Sequence, residues 1–293
     1  MAVWLDSFRI YTADKALNPD LKGPCTTGHF RPAEFLETDG KMDGTGDPKS
    51  VYVLKNSSGL PALESWSGCH IFDHSNAKAR AYWTQMCLNM TRTGVIDGCG
   101  ADASWQDGVD QAKGWGLTPA AAAAWDAGHK QMMRETTAAL GDGVLLGKDP
   151  WELVEGYVSG ALHEGCAATE ATILTLQNLT SIAKRSGKRL VYQAHGKGSV
   201  DEIAAFLIGA GPHQYYGCGG WNMKNAAGAK AHRPPILDKR LGAPKADGKK
   251  DQASGVWSRE FAHAKVTFNA KSNKGTVGFD ADRDEGAVGL RTK

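Results

Sequence analysis

The sequence predicts an α/β protein, a (β/α)8 barrel of the TIM type, with a short β-hairpin near its C-terminal end. Three observations carry that reading. Apolar runs and helical periods alternate along most of the 293 residues, the rhythm of parallel strands joined by right-handed crossovers. No glycine-rich phosphate turn follows the first run, where VWLDSFRIY leads into TADK, which argues against an open dinucleotide-type sheet. Polar residues end nearly every strand candidate: Asp6, Lys55, Asp73, Asp102, Lys148, Glu164, His195 and Tyr216. A barrel gathers such residues around one mouth. Residues 1–255 are expected to form the barrel, with an incomplete or irregular N-terminal portion, and 256–293 a hairpin and tail packed on it.

Residues 3–11 read as the first strand. Residues 12–50 are rich in Pro, Gly, Asp and Thr and read as a long loop with a short helix near 32–36. Residues 51–55 and 70–72 are short strand candidates, thin material for a barrel's first half. Ser75 or Asn76 is placed to cap a helix carrying Tyr82, Trp83, Met86 and Met90 at helical spacing. Residues 94–101 (GVIDGCGA) form a strand running into Asp102. Thr118-Pro119 starts an Ala-rich helix to about Leu140, with proline at its first position.

The same rhythm continues. Residues 144–147 (VLLG) and 154–162 read as strands, the second ending at His163-Glu164. Thr169 opens a helix that Gly187 stops. Residues 190–194 (LVYQA) lead into His195, and Ser199 with Glu202 has the capping-box spacing of the next helix. Residues 214–216 look like a final parallel strand. Beyond it, period-2 stretches at 266–268 and 276–279 flank Asn273-Lys-Gly275, a hairpin signal.

Composition excludes several functions. A net charge of +2 gives no electrostatic case for nucleic acid or an anionic membrane, and no apolar run is long enough to span a bilayer. The opening residues lack the basic start and apolar stretch of a signal peptide. Three sequons, at Asn56, Asn89 and Asn178, lean towards secretion. The six cysteines contain no Cys-x-x-Cys pair, so no metal or cofactor is expected. Walker, Gly-x-Ser-x-Gly and His-Glu-x-x-His motifs are absent. His70 and His74 flank a strand end rather than lying on a helix, which makes a poor metal pair.

Two acids stand out. Asp102 closes a strand amid small residues (Gly100, Ala101, Ala103) with Trp105 nearby, which leaves room for a ligand and offers a stacking face. Asp97, inside the same run, reads as a structural acid that caps or bonds a neighbouring strand. Glu164 follows the strand two places on, so the two carboxyls can flank a scissile glycosidic bond. A rim salt bridge to Lys148 or Lys197 is the plainer account of Glu164. Asp6, Lys55, Asp73, Lys148, His195 and Tyr216 are candidates for holding hydroxyls, and Trp105 and Trp221 for stacking on sugar rings.

The run Phe72-Asp-His-Ser-Asn76, then Ala79-Arg-Ala-Tyr-Trp83, Gly94-Val-Ile-Asp-Gly98 and Asp102 resembles glycoside-hydrolase barrels. So do Ala205-Phe-Leu-Ile-Gly-Ala-Gly211, Tyr215-Tyr216, Leu241-Gly-Ala-Pro244, Ser258-Arg-Glu-Phe261 and Val266-Thr-Phe-Asn269. The chain is most similar to the hypothetical glycoside hydrolase family fifteen group, related to the α-galactosidase clan. That resemblance implies a nucleophilic Asp after the fourth strand and an acid/base after the sixth, here Asp102 and Glu164. The clan's usual sixth-strand acid is Asp, and its C-terminal β-sandwich is replaced here by the hairpin. The expected function is hydrolysis of a poly- or oligosaccharide with retention. The alternatives are a polysaccharide lyase using His195, Tyr216 and Lys148, or a non-catalytic carbohydrate-binding barrel.

Overall fold

The structure is a computed structural model that describes residues 2–6, 9–10, 52–64, 70–92, 94, 96–102, 108–218 and 234–280. It divides into two compact units, Met1–Ala161 and Leu162–Lys293.

In the first unit, parallel strands lie in the order β1 (Ala2–Asp6), β4 (Gly98–Asp102), β5 (Val144–Gly147) and the start of β6 (Gly160–His163). The registers pair Ala2 with Gly98 and Asp6 with Asp102, then Gly98 with Val144, then Leu146 with Gly160. Gly98 is required by this packing, because a Cβ there would lie 1.9 Å from the Val144 carbonyl oxygen.

The helices start where the sequence places caps. Asn76 accepts from the Lys78 N–H and opens α1 (Ala77–Thr91). Thr118 accepts from Ala121 N–H and, with Pro119, opens α3 (Pro119–Leu140). Between them lies α2 (Gly108–Trp115), a helix for which the sequence reading makes no provision.

Of the strand candidates at 51–55 and 70–72, the described residues 52–55 and 70–72 do not enter the parallel sheet. Their period-2 stretches are too short for it and pair antiparallel instead. β2 (Arg9–Ile10) pairs with β3 (His70–Ile71), and isolated bridges join Val53 to Phe72 and Leu63 to His70. Ile71, Leu54, Ala62, Trp115 and Trp125 make a buried cluster here. Trp125 also donates its indole N–H to the Phe72 carbonyl at 2.7 Å.

Residues 154–162 are not one strand. Asp149, Pro150 and Glu152 form a capping box with proline at the first turn, so Pro150–Val154 is helix α4, and β6 begins only at Gly160. α4 takes Val154, and Gly156 then turns the chain at φ 74°, which interrupts the apolar stretch 154–162.

In the second unit, Thr169 caps α5 (Glu170–Ser186), and Gly187 ends it in the left-handed conformation at φ 65°. β7 (Val191–Gly196) runs parallel to β8 (Gln214–Cys218), and α6 (Val200–Gly209) lies between them in sequence.

The C-terminal expectation of a hairpin is too small. β9 (Lys249–Lys250), β10 (Val256–Glu260), β11 (Ala264–Asn269) and β12 (Lys274–Phe279) form a four-stranded antiparallel sheet. Asn273 takes the turn at φ 55°. Trp257, Val266 and Phe268 of this sheet bury against Ile173 of α5 and Ala204, Ala205 and Ile208 of α6. Ala204 and Ala205 are small enough to let the sheet approach.

The architecture is therefore α/β with a parallel sheet and a C-terminal antiparallel sheet. A closed eight-stranded barrel is not what the described residues form: six strands run parallel among them, and no ladder closes the set.

Candidate functional site

In the first unit, Asp6 and Asp102 are the last residues of β1 and β4 and are register partners. Parallel neighbours in a sheet lie about 4.8 Å apart, so the backbone brings two acidic positions together at the C-terminal ends of adjacent strands. Three residues before Asp102, Cys99 is disulfide-bonded to Cys87 of α1, with 5.9 Å between Cα atoms.

Lys148 follows β5 and is buried, and Glu152 of α4 is fully buried. Glu152 sits tightly on the strand end, since a Cβ at Gly147 would lie 1.8 Å from its Oε2. Sequence reasoning misses that carboxylate, for which the Asp-Pro-x-Glu spacing is the only signal.

Two other candidates of this unit lie outside the parallel sheet. Asp73 accepts from the N–H and hydroxyl of Ser75 in the turn that opens α1. Lys55 is exposed on a bridge with Pro61. Asp97 precedes β4, and its backbone carbonyl accepts from Val144 N–H at 3.1 Å. His74 and His129 are both buried, with stacked rings 4.9 Å apart.

In the second unit, Glu164 lies exposed immediately after β6, and His195 is half-buried in β7, paired in register with Gly217. Tyr216 of β8 is committed differently from a free rim hydroxyl. Its oxygen accepts from Gly198 N–H at 2.9 Å and donates to Glu202 Oε2 at 3.1 Å. The same Glu202 oxygen accepts from the N–H groups of Lys197, Gly198 and Ser199 at 2.8, 3.1 and 3.4 Å. The sequence identifies Glu202 only as a helix-capping residue, yet it organises the whole loop after His195.

Burial pushes the Tyr216 hydroxyl pKa upward. The Gly198 N–H opposes this, and the Glu202 charge reinforces it. The Cys166 thiol, buried in the loop after β6, is pushed up to about 12 by desolvation and by the Glu202 carboxylate. It is held as an inert thiol rather than a nucleophile.

Among the tryptophans, Trp115 is buried edge-on against Trp125. Trp151 is 40% exposed and meets Tyr157 at 87°. Trp66, Trp105 and Trp221 lie outside the described residues. Among the described residues, no cluster of three or more His, Cys, Asp or Glu side chains is grouped to hold a metal, and no helix is long and apolar enough to cross a membrane.

No curated protein matches the sequence. Solved structures to which the chain is similar include the glycoside hydrolase domain of PelA from Pseudomonas aeruginosa. It is 11% identical over 73% of this chain and 77% of that one, with a TM-score of 0.40. A noncanonic maltogenic α-amylase from Thermotoga neapolitana is 12% identical over 75% and 59%, at 0.38. The α-galactosidase AgaA from Geobacillus stearothermophilus is 13% identical over 74% and 33%, at 0.37. Residues 36–265, which include β3 to β8 and the first two strands of the C-terminal sheet, match the model of one family, and the chain belongs to it: the hypothetical glycosyl hydrolase family 15.

Proposed function

We propose that the chain hydrolyses glycosidic bonds of an oligo- or polysaccharide with retention, using Asp102 as nucleophile and Glu164 as acid/base. One observation supports this most. In a chain of a glycosyl hydrolase family, Asp102 ends β4 and Glu164 directly follows β6, and strand ends of this kind are where barrel-type enzymes carry catalytic groups.

In the first step an oxygen of Asp102 attacks the anomeric carbon. The bond to the leaving oxygen breaks, and Glu164 gives that oxygen its proton. In the second, Glu164 takes a proton from water, whose oxygen attacks the same carbon and releases Asp102. This requires carboxyls about 5–5.5 Å apart. Asp6, register partner of Asp102 at the end of β1, is assigned to a substrate hydroxyl, as are Lys148 and His195. Trp105 and Trp221 are assigned to stacking.

The test is a panel of polysaccharides and aryl glycosides, assayed with the wild type, Asp102→Asn and Glu164→Gln. Asp102→Asn is expected to lose turnover on every substrate. Glu164→Gln should fall by about 10²–10⁴-fold on a glycan but much less on an aryl glycoside whose leaving group needs no proton. Wild-type rates in a folded Asp102→Asn variant would refute the assignment. Ultraviolet-absorbing unsaturated products would transfer the chain to the lyases.

A further inference from the structure

The Leu162–Lys293 unit contains a cavity of about 250 Å³ lined by α5, the end of α6, the 247–248 segment and Arg259 of β10. Arg259 is only 7% exposed. Its Nε donates to the Ala246 carbonyl at 3.1 Å, and its Nη1 to the carbonyls of Leu207 (2.8 Å) and Ala210. The last two are carbonyls that α6 leaves unpaired at its end, so part of the role of Arg259 is to close that helix.

Three neutral carbonyls and the face of the Phe261 ring, its centroid 5.2 Å from the Arg259 Cζ, do not neutralise a buried cation. A charge taken out of water is costly unless an opposite charge meets it. Among the described residues Arg259 makes no ion pair, and its Nη2 makes no hydrogen bond. Asp247 bears on it electrostatically, but that carboxylate is exposed and lies 3.8 Å from Lys184 at the same cavity. The cavity therefore presents two cations against one shared carboxylate, with the hydroxyl-bearing residues Thr180 and Ser181 on its α5 wall. A guanidinium edge is matched in shape and charge by a flat, two-oxygen anion.

We propose that this cavity binds a small carboxylate, held by the guanidinium of Arg259 and met at the rim by Lys184. Its size restricts the occupant to one small unit. That unit is either a free organic acid or a single uronic acid residue of a glycan. The site shares no residue with Asp102 or Glu164, so it stands or falls separately from the hydrolase reading.

The test is calorimetric titration of the whole protein with glucuronate, glucose, acetate and inorganic phosphate. Glucuronate is expected to bind saturably, more weakly as salt rises, and glucose not at all. Acetate binding as tightly as glucuronate identifies a free acid as the natural occupant. Glucuronate binding tenfold or more tighter identifies the sugar acid.

Arg259→Leu can disrupt the end of α6, so the site is probed instead at Ser181. This residue is exposed, and its hydroxyl bonds only the Gln177 carbonyl of its own helix. Ser181→Glu places a competing carboxylate at the wall and should abolish binding. Asp247→Asn, which removes the existing competitor, should tighten binding about threefold. The proposal is overturned if neither carboxylate binds, if phosphate binds and carboxylates do not, or if Ser181→Glu leaves the affinity unchanged. It is likewise overturned if Asp102→Asn abolishes the binding, which would place the ligand elsewhere.

Discussion

The Glu202 carboxylate gives the most direct quantitative test of how the loop after His195 is held. One oxygen receives three backbone N–H groups and the Tyr216 hydroxyl. Replacing Glu202 by alanine removes the reciprocal half of the α6 capping box, worth about 0.5–2 kcal/mol, together with charge-assisted bonds of about 1.5–3 kcal/mol. These contributions do not simply add. Lys197 and Ser199 are exposed, so water replaces the carboxylate at their amides, and Gly198 N–H keeps the Tyr216 oxygen. The expected loss is about 2 kcal/mol.

Tyr216→Phe keeps the ring contact with Phe206, 5.5 Å between centroids, and loses only the hydroxyl, about 1 kcal/mol. Both variants delete the same Tyr216–Glu202 bond, so the double variant should fall short of the sum by roughly 1 kcal/mol. Urea unfolding of the four proteins measures this cycle. A loss below about 0.5 kcal/mol for Glu202→Ala, or strict additivity, would refute the idea that one carboxylate carries this loop.

Two further outcomes follow from the packing. Gly128→Ala puts a good helix former into α3, which would normally stabilise by about 0.5–1 kcal/mol. Here its Cβ would fall 2.0 Å from the His74 carbonyl oxygen. Backbone cannot yield as a flexible side chain would, so the variant should lose about 1–3 kcal/mol, and a raised melting temperature would contradict the contact. The second concerns alkali. Cys166 has its pKa raised from 9.0 to about 12 in the folded chain. The fold therefore favours the protonated thiol, and the stability this contributes is complete below pH 9 and drains away as pH climbs towards 12. Cys166→Ala should flatten the stability profile across that window. An unchanged slope would show that the thiol is not titrating in its buried position.

Local signals are the legible part of this chain. The caps at Asn76, Thr118, Thr169 and Ser199, the stop at Gly187 and the turn at Asn273 are short-range chemistry, and the sequence states them directly. Pairing is harder to read. Nothing local distinguishes a short apolar segment that joins a parallel sheet from one that pairs with its neighbour, so residues 51–55 and 70–72 read as strands of a barrel they do not enter. Residues 154–162 mislead for another reason: Val154 still belongs to α4, and Gly156 turns the chain at φ 74° before Tyr157 and Val158, so one apolar stretch is cut by a turn. At the site, the glycine-rich run marks Asp102 as a strand end. The partnership of Asp6 with Asp102 has no such mark, because the register between two strands so distant in the chain is written in neither segment. Glu202 is legible as a cap but not in its hold on Lys197 and Gly198, and Arg259 is hidden because the carbonyls it serves belong to other segments.

The link between Cys87 and Cys99 ties the backbone leading to Asp102 to a helix by a bond rather than by contact alone. Such a bond exists only where thiols are oxidised. The same polypeptide made under reducing conditions is a chemically different molecule, whose β4 rests against α1 unfastened. Preparations from the two environments should be treated as separate reagents, and their thiols counted, before any absence of turnover is held against the proposed roles of Asp102 and Glu164.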